Sequence, residues 1–283
     1  MFFKIIDDIG DKKPLLNFWG WGEPLLHPET FSLIKYASDA GVKVRMSTNL
    51  ENVHQATVPN LLNSGLDILL FPFDGFSQGV YEGYRVGGNV DHTKTIVKEI
   101  VDSKTKFGIE KPNLVAITLI TKSVLPELDD VIEYCHSAGV DAILLKYPNL
   151  WRSGKSERTV LDLYGRFIIE DSTMSRYQNI TDSNHKSVEP INSTGCLFHD
   201  KNGVILWNGD ITVCCYDYDG KHVFGNVSES GYGQVLNSIP KEAKWKNMET
   251  KQLDICQYCD ASGPRTKTII FNNNLKVSDL AYL

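Results

Sequence analysis

Short apolar runs alternate with helix-like segments along the first half of the chain. The apolar runs predict β-strands, and the segments with apolar residues three or four positions apart predict amphipathic helices. The predicted strands cover residues 14–19, 42–48, 66–73, 114–121 and 140–146. The predicted helices cover residues 2–9, 28–41, 53–64, 76–104 and 125–138. Since the strands are mostly continuous apolar runs, we expect a parallel sheet covered by helices, with a leading helix whose own strand is missing.

The pattern changes after residue 146. Residues 147–195 are polar with scattered turn formers, which predicts an irregular linker. Two β-rich runs then flank Asn208-Gly209, the strongest short signal for a tight hairpin, and a helical pattern follows at 232–249. We therefore divide the chain into an α/β domain at 1–150, a linker at 151–190 and a small α+β domain at 191–283.

Composition and charge narrow the class of partner. The 283 residues are 42% hydrophobic and 23% charged, with a formal net charge of −6, an ordinary balance for a globular protein. Neither a basic patch for nucleic acid nor a polybasic segment for a membrane surface is present. The sequence has no apolar run long enough for a membrane span and no signal-peptide pattern. We expect a cytoplasmic protein that binds a small molecule or a peptide.

The cysteines suggest a metal site in the last third of the chain. Grouped cysteines in a reducing compartment more often bind metal than form disulfides. The hairpin should bring two thiols toward a later C-x-x-C, giving four candidate ligands: Cys196, Cys214, Cys256 and Cys259. Such a set suits either a tetrahedral zinc or an iron–sulfur cluster. Cys215 should point away from the site because neighbours in a strand face opposite sides. We interpret Cys135 as a buried structural residue.

The stretch "NFWGWGEPLLHP" places glycines and a carboxylate where the first strand meets a helix. Loops at the carboxyl ends of parallel strands converge on ligand sites. Gly20 and Gly22 allow close approach of the backbone to a ligand, Glu23 could accept hydrogen bonds from a cation, and Pro24 fixes the exit of the turn. The alternative is an ordinary strand-to-helix turn with a solvated glutamate.

Two further strand ends carry polar residues. Ser47, Thr48 and Asn49 follow the second strand and could bind the hydroxyl groups of a sugar or cap the next helix. Asp74 ends the third strand, and Arg85 precedes a Gly-Gly pair. The guanidinium of Arg85 suits a carboxylate, although a surface salt bridge is the commoner role for a single arginine.

Taken together, these motifs resemble the radical S-adenosylmethionine superfamily, in the branch with a C-terminal SPASM or twitch-type extension. "GEP" at residues 22–24 resembles the family's GGEP motif, "STNL" at 47–50 its TNG strand end, and "FPFDG" at 71–75 its SxDG strand. Cys196, Gly209 and Cys214 match the opening of the extension, and Cys256 with Cys259 its later C-x-x-C. The resemblance covers nearly the whole chain.

The resemblance implies a partial (β/α)6 barrel of the TIM type that binds S-adenosylmethionine. The implied cofactor-binding residues are Gly22, Glu23, Pro24, Ser47, Asn49 and Arg85. In such enzymes an electron from a four-iron cluster cleaves the cofactor to a 5′-deoxyadenosyl radical, which abstracts hydrogen from a small-molecule or peptide substrate. The same resemblance implies one auxiliary 4Fe-4S cluster on the four cysteines and an electron donor such as flavodoxin or ferredoxin. No catalytic residue can be assigned, and the alternative function is a non-catalytic binding module with structural zinc.

The sequence departs from the family pattern at several positions. The family binds its reactive cluster through a CxxxCxxC loop before the GGEP turn, whereas no cysteine here precedes Cys135. We expect an N-terminally truncated chain that is inactive without that loop. Trp21, Leu50 and Pro72 replace a glycine, a glycine and a serine of the family motifs. The cysteine count suffices for one auxiliary cluster instead of two.

Overall fold

Strands and helices alternate through the first domain much as predicted. The structure is a computed structural model that describes residues 1–149, 165–169, 177–182, 185–190, 203–212, 214–238, 253–257, 259 and 266–280. The strands of the first region are β1 (Leu15–Asn17), β2 (Lys43–Ser47), β3 (Ile68–Pro72), β4 (Asn113–Leu119) and β5 (Ala142–Lys146). The helices are α1 (Phe2–Ile9), α2 (Thr30–Asp39), α3 (Val58–Asn63), α4 (Gln78–Tyr84), α5 (Val90–Phe107) and α6 (Leu128–Ser137).

The five strands of this region belong to one sheet, in which they lie in the order β1-β2-β3-β4-β5. Each neighbouring pair is parallel, which confirms the predicted α/β fold of the partial-barrel type. A sixth strand, β11 (Thr266–Ile270), pairs antiparallel with β5. This strand comes from the end of the chain, within the stretch that the sequence pattern assigned to the second domain. It covers the edge of β5 that the parallel strands leave open.

Both faces of the sheet are buried, which explains the continuous apolar strands. Alternate residues of one face, among them Met46, Leu69 and Phe71, pack in the large cluster with the helices. The opposite face packs in a second cluster with Leu275 and Leu280 of the C-terminal segment. The sheet residues of this cluster are Ile68, Leu70, Val115, Ala142 and Leu144. The end of the chain therefore fills the inner face of the sheet.

The helical pattern at 76–104 is two helices instead of one. The chain breaks between α4 and α5, where Gly87 has a φ of 80° that other residues rarely adopt. Asn89 then caps α5, because its side-chain oxygen accepts a hydrogen bond from the His92 amide at 3.0 Å. Among the helices that the structure describes, none is both long and apolar enough to cross a membrane.

Within the described residues, the second half contains two small sheets. The prediction of irregular structure at 147–195 was wrong for residues 177–182 and 185–190, because β6 (Tyr177–Asp182) and β7 (His185–Pro190) pair as antiparallel strands. The Asn-Gly hairpin is confirmed, and Gly209 takes the required positive φ of 90°. It joins β8 (Val204–Ile205) to β9 (Asp210–Thr212), and β10 (Val223–Asn226) adds to β9. The α-helices that the structure describes after these strands are α7 (Tyr232–Ser238) and α8 (Asp254–Gln257). Beyond residue 238, the predicted helix at 232–249 lies outside the described residues.

Candidate functional site

A cleft of about 270 Å³ opens at the carboxyl ends of β1 to β4. Five of the six predicted cofactor residues line it, from two strand ends and one loop between helices: Gly22, Glu23, Ser47, Asn49 and Arg85. The other lining residues are Trp19, Gly20, Thr48, Pro72 and Ile117. Pro24 is next to the cleft but is not among its lining residues. The parallel sheet therefore assembles in one place the polar groups that the sequence presents 60 residues apart.

The Gly-Glu-Pro turn leaves room for a ligand at its backbone. A Cβ atom added to Gly20 or Gly22 would meet no protein atom within 4 Å, so open space lies in front of both residues. Gly22 also has a φ of 127°, which strongly favours glycine. Pro24 begins a 3-10 turn, and its carbonyl accepts a hydrogen bond from the Thr30 hydroxyl at 2.6 Å.

The carboxylate of Glu23 fastens this turn to the next strand end. One oxygen accepts a hydrogen bond from the Leu25 amide at 3.0 Å, and the other accepts from the Asn49 amide at 2.8 Å. The sequence suggested a cation as the partner of the Glu23 carboxylate, whereas the partners in the structure are these two backbone amides. Glu23 holds the ends of β1 and β2 at a fixed separation across the cleft.

The second strand end is a tight turn stabilised by its own side chains. The Thr48 hydroxyl accepts a hydrogen bond from the Leu50 amide at 3.2 Å, and the Asn49 side-chain oxygen accepts from the Glu51 amide at 3.0 Å. Leu50 has a φ of 64°, a conformation that glycine adopts most easily. This explains why the motif it resembles has glycine at that position. Leu50 is fully buried, so its packing offsets the backbone strain.

Arg85 reaches the cleft from the loop between α4 and α5. Its Nε donates to a carboxylate oxygen of Asp74 at 2.7 Å, and Asp74 is only 1% exposed. The other Asp74 oxygen accepts a hydrogen bond from the Leu119 amide at 2.5 Å. Burial raises the pKa of the Asp74 carboxyl, and the charge of Arg85 opposes that rise. The pair orients the guanidinium while part of it still faces the cleft.

Sequence reasoning missed three residues on the inner side of the sheet. Trp19 and Ile117 line the cleft, and the buried Arg45 lies two residues before Ser47 on the same face of β2. Arg45 donates from Nε to the Asn17 side-chain oxygen and from Nη1 to the Asp279 carbonyl, the latter at 3.0 Å. Burial lowers its pKa to about 10. The signal was present in "KVRMST", where a charge interrupts an apolar strand.

The cysteine site is described in part. Cys196 lies outside the described residues, and Cys214 packs against the buried Cys256. The Cys259 amide donates to the Cys256 carbonyl at 3.1 Å, so the C-x-x-C forms a tight turn. Within the parts of the chain that the structure describes, no three or more His, Cys, Asp or Glu side chains are grouped closely enough to hold a metal.

The surroundings of Cys214 contain one contact that favours a metal-bound thiolate and one property, burial, that opposes the thiolate. The Tyr216 amide donates to its sulfur at 3.4 Å, a contact that stabilises a thiolate bound to metal. Burial raises the pKa of this thiol to about 12, so the metal-free protein keeps it protonated at neutral pH. Cys215 is exposed, and the predicted strand position was wrong for both cysteines, because they lie in the turn after β9.

The turn 214–218 touches the loops that surround the cleft. The indole Nε1 of Trp21 donates to the Cys215 carbonyl at 2.8 Å, and its ring packs against Tyr218 with the centroids 4.9 Å apart. On the β5 side, the Asn149 amide nitrogen donates to the Tyr216 hydroxyl at 2.7 Å. The side-chain oxygen of Asn149 is buried and has no hydrogen-bond partner among the described residues. The cysteine turn therefore lies against the strand ends.

Comparison with known proteins finds a family match for the C-terminal region and distant relatives for about half of the chain. Residues 196–260 match the SPASM family model, described as an iron–sulfur cluster-binding domain. A cofactor-modifying protein for tungsten-containing aldehyde ferredoxin oxidoreductase from Pyrococcus furiosus is 27% identical over 51% of this chain and 41% of its own length. An AdoMet-dependent heme synthase from Methanosarcina barkeri is 27% identical over 48% of this chain and 38% of its own length. The chain thus spans less than half of either relative.

The fold has a close counterpart among solved structures. The crystal structure of SuiB from Streptococcus suis, bound to its precursor peptide SuiA, superposes with a TM-score of 0.58. The match covers 91% of this chain and 63% of SuiB at 15% sequence identity. The similarity therefore lies in the fold, and the barrel-type sheet and the C-terminal region are both included in it.

Proposed function

We propose that this chain, a radical S-adenosylmethionine protein with a C-terminal SPASM domain, binds S-adenosylmethionine in the cleft and one 4Fe-4S cluster at its cysteines. The observation that supports the first part is the convergence of the Gly-Glu-Pro turn, Ser47–Asn49 and Arg85 on one cleft. The residues fit the cofactor, because open space lies in front of Gly20 and Gly22 and an oriented guanidinium faces the same cleft.

Each predicted residue has a role in this proposal. Gly22 exposes backbone groups to the methionyl amine, while Glu23 and Pro24 hold the turn in place. Ser47 and Asn49 offer a hydroxyl and an amide to the ribose. Arg85 binds the methionyl carboxylate with the donors that Asp74 does not engage. Bound next to a reduced four-iron cluster, S-adenosylmethionine supplies a 5′-deoxyadenosyl radical for hydrogen abstraction.

Cys196, Cys214, Cys256 and Cys259 are the proposed ligands of the auxiliary cluster. All four donors are thiols, the donor type that iron–sulfur clusters use, and residues 196–260 match an iron–sulfur domain model. Structural zinc in a non-catalytic module remains the alternative occupant because a four-thiol set also suits it. Iron content and absorbance separate the two.

The partners follow from the same chemistry. We propose a small-molecule or peptide substrate, and an electron donor such as flavodoxin or ferredoxin in the cytoplasm. The spacing CxxxCxxC does not occur in these 283 residues, and we propose that radical formation needs ligands of that kind. Binding of S-adenosylmethionine, in contrast, depends on residues that are present.

The test measures binding and metal content separately. Isothermal titration of the anaerobically reconstituted chain with S-adenosylmethionine should show one site, and substitution of Arg85 should weaken it. Iron analysis should give about four irons per chain with broad absorbance near ~400 nm. Bound zinc without that absorbance contradicts the cluster, and no heat of binding contradicts the cofactor site.

A further inference from the structure

Trp21 occupies an unusual place between the two proposed sites. It is part of the Gly-Glu-Pro loop, flanked by Gly20 and Gly22. Its indole donates to the carbonyl of Cys215, the residue after the proposed ligand Cys214. The side chain is 63% exposed, so burial of apolar surface does not explain its position. The hydrogen bond from the indole to the Cys215 carbonyl explains the position of the side chain.

The loop around Trp21 has little stiffness of its own. Glycines on both sides give the backbone wide freedom, and ordering a residue costs about 1–2 kcal/mol of conformational entropy. Hydrogen bonds hold the loop on both sides of Gly22, since Glu23 accepts from the Asn49 amide and Trp21 donates to Cys215, and the Trp21 ring also packs against Tyr218. Only Gly22 separates the two anchoring residues. Loss of either contact therefore releases the backbone that faces the cleft.

The other end of the contact depends on the cysteines. The turn 214–218 begins at Cys214, whose sulfur accepts the Tyr216 amide. A metal centre bound through Cys214 fixes this turn, and the fixed turn presents the Cys215 carbonyl and the Tyr218 ring to Trp21. Part of the ordering of the cofactor loop then occurs before any ligand enters the cleft.

We propose that Trp21 is a positioning residue that couples the two sites, so that loading the cysteine site tightens binding of S-adenosylmethionine and binding of S-adenosylmethionine retains the metal centre. This rests on the proposed function of both sites. Because such coupling is reciprocal, each ligand changes the affinity of the other by the same factor. If the contact contributes as much as one neutral hydrogen bond, each ligand lowers the dissociation constant of the other by a factor of about five.

The chain contains a matched control. Trp207 lies in the hairpin turn between β8 and β9 and is 91% exposed. Trp207→Phe and Trp21→Phe make the same chemical change, loss of the indole N–H with an aromatic ring kept. Both positions are on the surface, so both variants should fold, which circular dichroism verifies. Of the two, Trp21→Phe alone removes the hydrogen bond to the Cys215 carbonyl, and it keeps an aromatic ring next to Tyr218.

The experiment measures the dissociation constant of S-adenosylmethionine for metal-loaded and metal-free forms of the three proteins by titration calorimetry under anaerobic conditions. The loaded wild type should bind about five times more tightly than its metal-free form. Trp207→Phe should keep this ratio, and Trp21→Phe should reduce it to about one. A Trp21→Phe ratio equal to that of the wild type, or a wild-type ratio of one, overturns the proposal.

A second measurement does not need the cleft to bind anything. The rate at which a chelator removes iron should be higher in Trp21→Phe than in the wild type and Trp207→Phe, because the turn has lost an anchor. Equal rates in all three overturn the coupling. If the wild type binds no S-adenosylmethionine in either form, the proposed cofactor site fails, while a faster release of iron from Trp21→Phe still establishes the contact.

Discussion

The cleft and the cysteine site are stabilised in different ways. The cleft stands on five parallel strands with apolar clusters on both faces, and hydrogen bonds between backbone and side chains close its rim. Among the residues that the structure describes, the apolar cluster at the cysteines contains two buried residues, Ile255 and Cys256. The neighbouring Ile211 of β9, Val227 after β10 and Val235 of α7 belong to the large cluster. Hydrophobic burial can therefore form the cleft before a ligand binds, whereas we propose that a bound metal supplies part of the order of the cysteine site.

Removal of the metal should give the largest difference between the two regions. Structural metal sites contribute roughly 10 kcal/mol or more to the order of their own region. Chelation should make residues 196–260 sensitive to protease while the first 149 residues stay protected. Peptide mapping after limited proteolysis measures this. Equal protection of both regions in the metal-free chain would show that the cysteine region has a sufficient core of its own.

Phe71→Ala tests the hydrophobic side of the comparison. Phe71 is fully buried in β3 and packs in the cluster beneath the helices. The substitution should lower the free energy of unfolding of the first region by about 3–5 kcal/mol because it leaves a cavity. Denaturant unfolding followed by circular dichroism measures it. Val86→Ala, at a side chain 91% exposed, is the control and should change little.

Substitution of Arg85 tests whether this residue binds S-adenosylmethionine in the cleft. Arg85→Met should weaken binding of S-adenosylmethionine by about 10- to 100-fold, since a hydrogen bond to a charged group contributes about 1.5–3 kcal/mol. Arg85→Lys keeps the charge and should recover part of the affinity. Titration calorimetry provides the numbers. An unchanged affinity in Arg85→Met would remove this residue from the cofactor site. Iron content should be the same in all three proteins.

Gly22→Ala should have the smallest effect. The added Cβ meets no protein atom, so within the protein the cost is confined to the φ of 127° and amounts to about 1–3 kcal/mol, while the Cβ takes up the same kind of ligand space as one at Gly20. We expect weaker binding of S-adenosylmethionine and little change in the unfolding of the sheet. Gly20→Ala is the matched control, because its φ is not in the left-handed region. Equal affinities of the two variants would exclude backbone strain as the cause.

The strands could be predicted because a strand that is buried on both faces of the sheet is a continuous apolar run in the sequence. Continuous apolar runs gave β3 and β5 nearly to the residue. The break between α4 and α5 was missed although the Gly87-Gly88 pair and the cap Asn89 mark it in the sequence. The pair β6–β7 was missed because its strands are polar and carry no apolar alternation.

Resemblance and topology together predicted the cleft. The motifs named Gly22, Ser47 and Arg85, and parallel strands necessarily bring their carboxyl ends to one edge. The partners of these groups were not predictable. Glu23 bonding to the Asn49 amide and Arg85 bonding to buried Asp74 depend on distances that no residue pattern records.

The sequence by itself determined the alternating α/β order, the strand ends that carry polar groups and the thiol donor set, because each of these depends on residues close together in the chain. Only the tertiary structure decided that β11 returns to the edge of β5 and that Trp21 meets Cys215. These contacts join residues more than a hundred positions apart. They depend on how whole elements pack, and side-chain chemistry along the chain does not encode that directly.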